Sequence, residues 1–269
     1  MSHEAPRKQE PAAWRIWLFR IVAALWGLMF TRSVTAALWP WISSLPSPGT
    51  AAILGRWALS LTVGLDALVG LVLLYLAWRP RQAPLFLQWY VLAMVALILT
   101  SLPNTNGPPG AGVVLALFFV IPVIAYPWLR ELLVPPWRDG VRRPLLVLAL
   151  LAGPLLLVDA WNALQHVHGA DKLAGSDWLS SVEHLVDLWM AMLLAACRRP
   201  SRNPLAVMVG AGLLYLGAAA ISFPNVLASW GYLWGSLAAL AGLAYLADLS
   251  SERWLKQRRS TTTLEHQRS

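Results

Sequence analysis

Ionisable residues are few inside the long apolar stretches of this chain, where a charge is expensive and is usually functional or paired, and six of them are candidates for chemistry. They comprise four acids, one histidine and one arginine: Arg32, Asp66, Asp159, Glu183, His184 and Asp187. Glu183 and Asp187 are four residues apart, and His184 and Asp187 are three apart, so a helix would carry all three on one side. The sequence therefore predicts a buried polar cluster that includes this helix face.

The single cation and the acids allow two interpretations. Arg32 can pair with Asp66 or Asp187 as a simple interhelical tie that neutralises both charges. Four carboxylates against one fixed cation nevertheless leave an excess of acid, which needs water, a proton or a bound cation. This excess favours an acid-lined cavity open to the outer side of a membrane. We expect it in the outer half of the helices that carry Asp159 and Asp187, facing Arg32 and Asp66.

Two further groups of polar residues lie at the ends of apolar stretches. His166, His168 and Asp171 are close enough in the chain to bind a metal at the outer surface, although no tetrahedral ligand spacing is evident. Asn104 and Asn225 each follow a proline, where they either terminate a helix or line the rim of the cavity.

Motifs for several classes of chemistry are absent from the sequence. It contains no nucleotide-binding loop, no G-x-S-x-G elbow and no H-E-x-x-H pair, and its basic loops give no support to nucleic-acid binding. The one cysteine, Cys197, excludes an internal disulfide. A bis-histidine haem needs ligands on facing helices, and only His184 lies well inside an apolar stretch. A quinone or lipid ligand is compatible with the sixteen tryptophans.

Membrane helices are the elements that must position these residues. Hydrophobic residues make up 58% of the 269 residues and charged residues only 13%, well below the roughly 25% of soluble domains. Blocks of roughly 20 apolar residues cross a hydrocarbon core of about 30 Å as helices. Eight such blocks occupy residues 17–41, 52–78, 84–103, 111–134, 143–165, 177–197, 204–222 and 226–249.

Loop charge predicts how the helices are oriented. Arginines concentrate in alternate connections, around residues 79–81, 130–143 and 198–202, and again after residue 250. Positive residues favour the cytoplasmic side, so both termini are expected in the cytoplasm of a multi-pass protein of a bacterial inner membrane.

An internal repeat organises the eight predicted helices. Residues 55–85 align with residues 175–205 and share an R-P-x-x-x-P string, and S-x-P-N recurs near the equivalent position further on. Because each half holds an even number of helices, the halves form two parallel four-helix repeats. The predicted segments are an N-terminal tail (1–14), the first repeat (15–134), a cytoplasmic linker (135–142), the second repeat (143–249) and a basic cytoplasmic tail (250–269).

The first half, from Arg20 to about Leu133, resembles the DoxX/DoxD-like family of small four-helix membrane proteins. The resemblance is carried by A-L-W-G-L-M-F in the first block and by an acidic residue, Asp66, followed by a glycine-containing apolar run and a basic turn. Asp66 stands where the family usually has Glu. In the second half, Glu183 and Asp187 both match the acidic position. The resemblance implies a tandem duplication and, for some relatives, a role in quinone-linked sulfur oxidation.

Three functions fit these observations. The first is a non-catalytic subunit or assembly partner of a membrane redox or energy-converting complex, which agrees with the absence of catalytic motifs. The second is a DoxD-like oxidoreductase linked to quinone. The third is a transporter of protons or of a small cationic solute through the acidic cavity. The first is favoured at this stage, with membrane proteins and the lipid bilayer as the expected partners.

Overall fold

The computed structural model describes the backbone of residues 10–31, 34, 38, 50–101, 120–167, 172–225 and 229–266. This part of the chain is helical and contains no strand beyond one isolated β-bridge. Its helices are α1 (Ala13–Thr31), α2 (Thr50–Trp78), α3 (Pro84–Ser101), α4 (Ile121–Ile124), α5 (Leu129–Leu132), α6 (Arg143–Val167), α7 (Lys172–Ala195), α8 (Asn203–Ser222) and α9 (Gly231–His266). The predicted all-helical class is confirmed for these residues.

Five of these helices are long and apolar enough to cross a membrane. The segments that qualify are Ala13–Thr31, Leu61–Trp78, Arg143–Gln165, Asn203–Ser222 and Gly231–Ser251, and Pro84–Leu99 is a shorter apolar helix. Their exposed faces carry large apolar side chains, as a lipid-facing surface requires. The chain is therefore a membrane protein by composition and helix length, while the number of eight spans stays a prediction.

The fourth predicted block, 111–134, does not form one helix in its described part. The short helix α4 ends at Ile124, a turn follows at Tyr126 and Pro127, and α5 covers only Leu129–Leu132. Pro127 has no backbone N–H and disfavours helical geometry in the residue before it. The prediction of a continuous helix to residue 134 is therefore wrong.

Glycines allow the last two long helices to approach each other closely. A β-carbon placed on Gly217 would lie 2.5 Å from the carbonyl oxygen of Gly235, and one placed on Gly242 would lie 2.6 Å from that of Gly210. The two pairs are seven residues apart on each helix, so the contact runs along one seam between α8 and α9. Packing of small residues is a main source of helix association in lipid, where burial of apolar surface provides little.

Two helix–turn–helix units have the same local structure. A 3₁₀ turn at Pro80–Gln82 joins α2 to α3, and a 3₁₀ turn at Pro200–Arg202 joins α7 to α8. The units pack against each other crosswise, because α2 contacts α8, α3 contacts α7, and α2 also contacts α7. Outside them, α1 packs on α2 and α6 packs on α7. These matched contacts agree with the R-P-x-x-x-P repeat, and a repeat of the whole chain stays a prediction.

An ionic joint closes the bundle at the end that holds the 3₁₀ turns. Asp248 of α9 accepts a hydrogen bond from Arg202 at 2.7 Å through one oxygen and a short one from Arg142 through the other. The Arg202 side chain is 2% exposed, which makes it the largest fully buried side chain of the described part. The joint fixes α9 to the start of α6 and to the second 3₁₀ turn.

A second cation at this end is held by polar groups without a carboxylate. Arg199 donates to the side-chain oxygen of Gln88 at 3.0 Å and to the carbonyl oxygens of Val134 and Glu131, both at 3.2 Å. The Gln88 amide nitrogen also donates to the carbonyl oxygens of Leu132 and Val134. These bonds satisfy carbonyls that the short helix α5 leaves unpaired at its C-terminus.

We predict that Gly217→Leu separates α8 from α9. The new side chain would meet the backbone of Gly235, and overpacking of this kind costs about 1–3 kcal/mol or more. The measurement is the melting temperature of the purified protein in mild detergent, which should fall by several degrees. Ala218→Leu is the matched control, because Ala218 is exposed beside Gly217. Equal melting temperatures for the two variants would contradict the close helix contact.

We also predict that Asp248→Asn destabilises the protein. The substitution removes the carboxylate charge that pairs with the buried guanidinium of Arg202, and loss of one partner costs about 3–5 kcal/mol in a fully buried pair. Asp248 is 20% exposed, so we expect a smaller loss of about 2 kcal/mol. Asp139→Asn, at an exposed position of the same end, serves as the control and should leave the melting temperature unchanged.

Candidate functional site

A histidine and an aspartate from different helices meet at the centre of the crosswise packing. His184 of α7 points its Nε2 at Oδ1 of Asp66 on α2, at 3.5 Å. The other ring nitrogen, Nδ1, lies 2.7 Å from the carbonyl oxygen of Ser180 one turn earlier. A carbonyl only accepts hydrogen bonds, so Nδ1 must carry a proton.

This geometry requires one further proton between the two side chains. With Nδ1 protonated, a neutral ring would present the Nε2 lone pair to the carboxylate of Asp66, and two acceptors would face each other. The contact becomes favourable when Nε2 also carries a proton, or when Asp66 does. The contact between His184 and Asp66 is therefore favourable when the two side chains share one additional proton, which either of them can carry.

Two more carboxylates lie beside this pair. Glu183 and Asp187 are both close enough to His184 and Asp66 for their charges to interact, and they interact with each other. Asp187 is only 8% exposed, and within the described part of the chain its Oδ1 has no hydrogen-bond partner. Three carboxylates and one imidazole thus lie close together, with Asp187 almost fully buried, so the group needs protons or a cation to approach neutrality.

Helix α3 contributes two aromatic side chains to the site. The indole Nε1 of Trp89 donates to the backbone carbonyl oxygen of Asp187 at 2.8 Å and so ties α3 to α7. The side chain of Tyr90 is 1% exposed, and its hydroxyl is close enough to Asp66 to feel the charge of that carboxylate. Its hydroxyl has no hydrogen-bond partner among the described residues. The Tyr90 hydroxyl is therefore a second buried polar group near the carboxylates that could donate or accept a hydrogen bond.

Sequence reasoning did not single out Trp89, Tyr90 or Ser180. Nothing distinguishes Trp89 from the other fifteen tryptophans in the sequence, because its function depends on a carbonyl contributed by a distant helix. Tyr90 is one of two neighbouring aromatic residues after Gln88, and this polar–aromatic string inside an apolar block was the available signal.

Asp66, Glu183, His184 and Asp187 lie close together, whereas Asp159 is not part of their group. The carboxylate of Asp159 instead accepts a hydrogen bond from the side chain of Trp230, next to the start of α9.

Several other predicted site residues cannot be placed. Arg32, His168, Asp171 and Asn104 lie outside the described residues, as does the side chain of His166 on α6. Asn225 is exposed in the turn that follows α8. Among the described residues, no group of three or more His, Cys, Asp or Glu side chains is arranged to hold a metal ion. The His166–His168–Asp171 metal site and the Asn104–Asn225 rim stay predictions.

No family model matches the chain, and no similar protein is found among curated proteins or solved structures. The resemblance to DoxX/DoxD-like proteins therefore stays a prediction. Inference about function depends on the geometry of the site alone.

We predict opposite stability effects for two aspartates of similar chemistry. Asp187→Asn keeps the side-chain size but removes a charge that the described neighbours leave unsatisfied, so the melting temperature should rise slightly, by a gain on the order of 1 kcal/mol. Asp159→Asn weakens the hydrogen bond with Trp230 and should lower the melting temperature. Both are measured as thermal unfolding in detergent. A marked loss of stability in Asp187→Asn would show that its carboxylate makes a stabilising ion pair.

Proposed function

We propose that this chain is a multi-pass protein of a bacterial inner membrane that transports protons, alone or coupled to a small cationic solute. In this proposal eight spans form two parallel four-helix repeats, and both termini lie in the cytoplasm. The site of proton binding is the group formed by Asp66, Glu183, His184 and Asp187, which we call the acidic cluster.

The observation that carries the proposal is the fixed orientation of His184. Its Nδ1 is committed to Ser180, so Nε2 and Asp66 must share a proton for their contact to be favourable. A structural ion pair would be served as well by an arginine, which keeps its proton in proteins. Histidine is the side chain whose charge changes near neutral pH, and this favours a site that binds and releases.

Exposure decreases along the cluster in a way that suits a proton path. The Asp66 side chain is 39% exposed and that of His184 is 14% exposed, while Asp187 is 8% exposed. We propose that protons enter at Asp66, where Nε2 of His184 shares them, and reach the carboxylates of Glu183 and Asp187 through water, because Nδ1 of His184 stays on the carbonyl of Ser180. Intramembrane acids and histidines form relays of this kind in pumps and transporters.

The position of the cluster between the two helix–turn–helix units supports transport rather than simple storage of a proton. Asp66 belongs to one unit and His184 to the other, and transporters built from repeats commonly bind their substrate at the repeat interface. Neutralising the cluster removes repulsion among its carboxylates. Proton binding would therefore change how firmly α2 and α7 hold together, which is the coupling that alternating access requires.

Purification of the chain also tests the other two hypotheses. A subunit of a redox or energy-converting complex should leave the membrane with fixed partners after mild extraction. A DoxD-like oxidoreductase should retain a quinone or a reducible chromophore. A chain that purifies alone, colourless and active in proton flux would favour transport.

The test is proton flux into liposomes that contain the purified chain and a pH-sensitive dye. With an imposed potassium diffusion potential, we expect the unmodified chain to acidify or alkalinise the lumen faster than empty liposomes. Asp187→Asn and His184→Gln should each lower the rate at least about tenfold, because each breaks the relay.

Asp159→Asn is the matched control, since it changes a membrane aspartate outside the cluster and should keep most of the flux. Thermal unfolding of each variant separates loss of the relay from loss of the fold. Equal flux for Asp187→Asn and the unmodified chain would overturn the proposal.

A further inference from the structure

Two loops rich in arginine are held side by side at the end of the bundle that contains the 3₁₀ turns. Val141 and Cys197 form an antiparallel β-bridge. On either side of it, the amide of Arg142 donates to the carbonyl oxygen of Ala196 at 2.8 Å, and that of Arg198 donates to Gly140 at 2.9 Å. Segments that are more than fifty residues apart in sequence thereby become one surface.

The charge of this surface is strongly unbalanced. Segments 135–143 and 197–202 carry six arginines and a single carboxylate, Asp139. Asp248 of α9 adds one carboxylate, which pairs with Arg142 and Arg202. Arg199 is buried against uncharged acceptors. A positive excess remains at this end even after the pairs of Asp248 with Arg142 and Arg202 are counted.

The remaining three arginines are exposed on the same surface. Arg138 and Arg143 flank the bridge on one loop, and Arg198 lies on the other. The Arg198 side chain crosses Gly140, with its Cδ 3.9 Å from the point where a β-carbon of that glycine would lie. Gly140 adopts a φ of 89°, a left-handed conformation that turns the loop toward Arg198. We call Arg138, Arg143 and Arg198 the arginine surface.

Exposed apolar side chains adjoin the arginine surface. Trp137 is 66% exposed and Leu133 is 83% exposed, both in the segment that leads to Arg138. Tryptophan is enriched at the level of lipid headgroups, where one part of the ring is apolar and another donates a hydrogen bond. With Trp137 at that level, the neighbouring arginines would lie near the lipid phosphates rather than in bulk water.

We propose that the arginine surface binds the phosphate headgroup of an anionic phospholipid, while Trp137 and Leu133 enter the acyl boundary. The guanidinium group suits this ligand because it presents paired donors to phosphate oxygens. Basic pockets at the ends of membrane helices are known binding sites for anionic lipid headgroups. This inference does not depend on proton transport, because it uses none of the residues of the acidic cluster.

The experiment is native mass spectrometry of the full-length chain in detergent, titrated with phosphatidylglycerol, phosphatidylcholine or inorganic phosphate. We expect phosphatidylglycerol to bind at least about tenfold more tightly than phosphatidylcholine, since each arginine near anionic lipid contributes roughly a kcal/mol. Arg138→Gln/Arg143→Gln/Arg198→Gln should remove that preference. Equal binding of the two lipids, or equal retention of free phosphate and phosphatidylglycerol, would overturn the proposal.

A matched control is Arg15→Gln/Arg79→Gln/Arg81→Gln, which makes the same change of charge near α1 and the first 3₁₀ turn. It should bind phosphatidylglycerol within about twofold of the unmodified chain, whereas an equal loss in both triple variants would show that only overall charge matters. The single variant Arg198→Gln tests whether the loss reflects misfolding. We expect its melting temperature to be unchanged and its affinity for phosphatidylglycerol to fall several-fold. An unchanged affinity would contradict the site.

Discussion

Lipid offers no hydrogen bonds, so each polar group inside the bundle must find its partner within the protein. This constraint accounts for the clearest tertiary contacts. The indole of Trp89 reaches across to a backbone carbonyl of α7, and the hydroxyl of Tyr245 donates to the carbonyl oxygen of Met192 at 3.0 Å. At the end of the bundle, Asp248 pairs with two guanidinium groups. In the acidic cluster, by contrast, the described residues leave the buried Oδ1 of Asp187 and the nearby hydroxyl of Tyr90 without a hydrogen-bond partner.

The two charged regions of the bundle use charge in different ways. At the 3₁₀ turns, positive groups outnumber acids, and the buried ones are held by several bonds that join α6, α7, α8 and α9. In the acidic cluster, carboxylates outnumber the one imidazole, and the joining contact is a single long hydrogen bond of 3.5 Å between α2 and α7. The first arrangement fixes helices in place, whereas the second holds a contact that the gain or loss of one proton can change.

Helix periodicity was sufficient to predict that Glu183, His184 and Asp187 share a face, and the apolar blocks were sufficient to locate most long helices. Asp66 was expected to face them, because the predicted repeat gives it a position near that of Asp187 in the other half. The partner of Asp159 could not be predicted, since Trp230 is distant in sequence and is one of sixteen candidates. The burial of loop arginines could not be predicted either. Arg199 and Arg202 lie where the positive-inside rule expects solvent-facing charge, yet both are buried in the protein. Pro127 was a local signal that the apolar character of block 111–134 obscured.

The β-bridge has one more consequence, which concerns the only cysteine. Cys197 is 5% exposed, and its burial raises the pKa of the thiol, an effect that the nearby Arg199 only partly offsets. Thiols react as thiolates, so this one is doubly protected, by limited access and by its retained proton. A cysteine introduced at an exposed position will react with a maleimide or a spin label far faster than Cys197 does. Cysteines for site-directed labelling can therefore be introduced into the native sequence. Cys197, which takes part in the bridge, does not have to be replaced first.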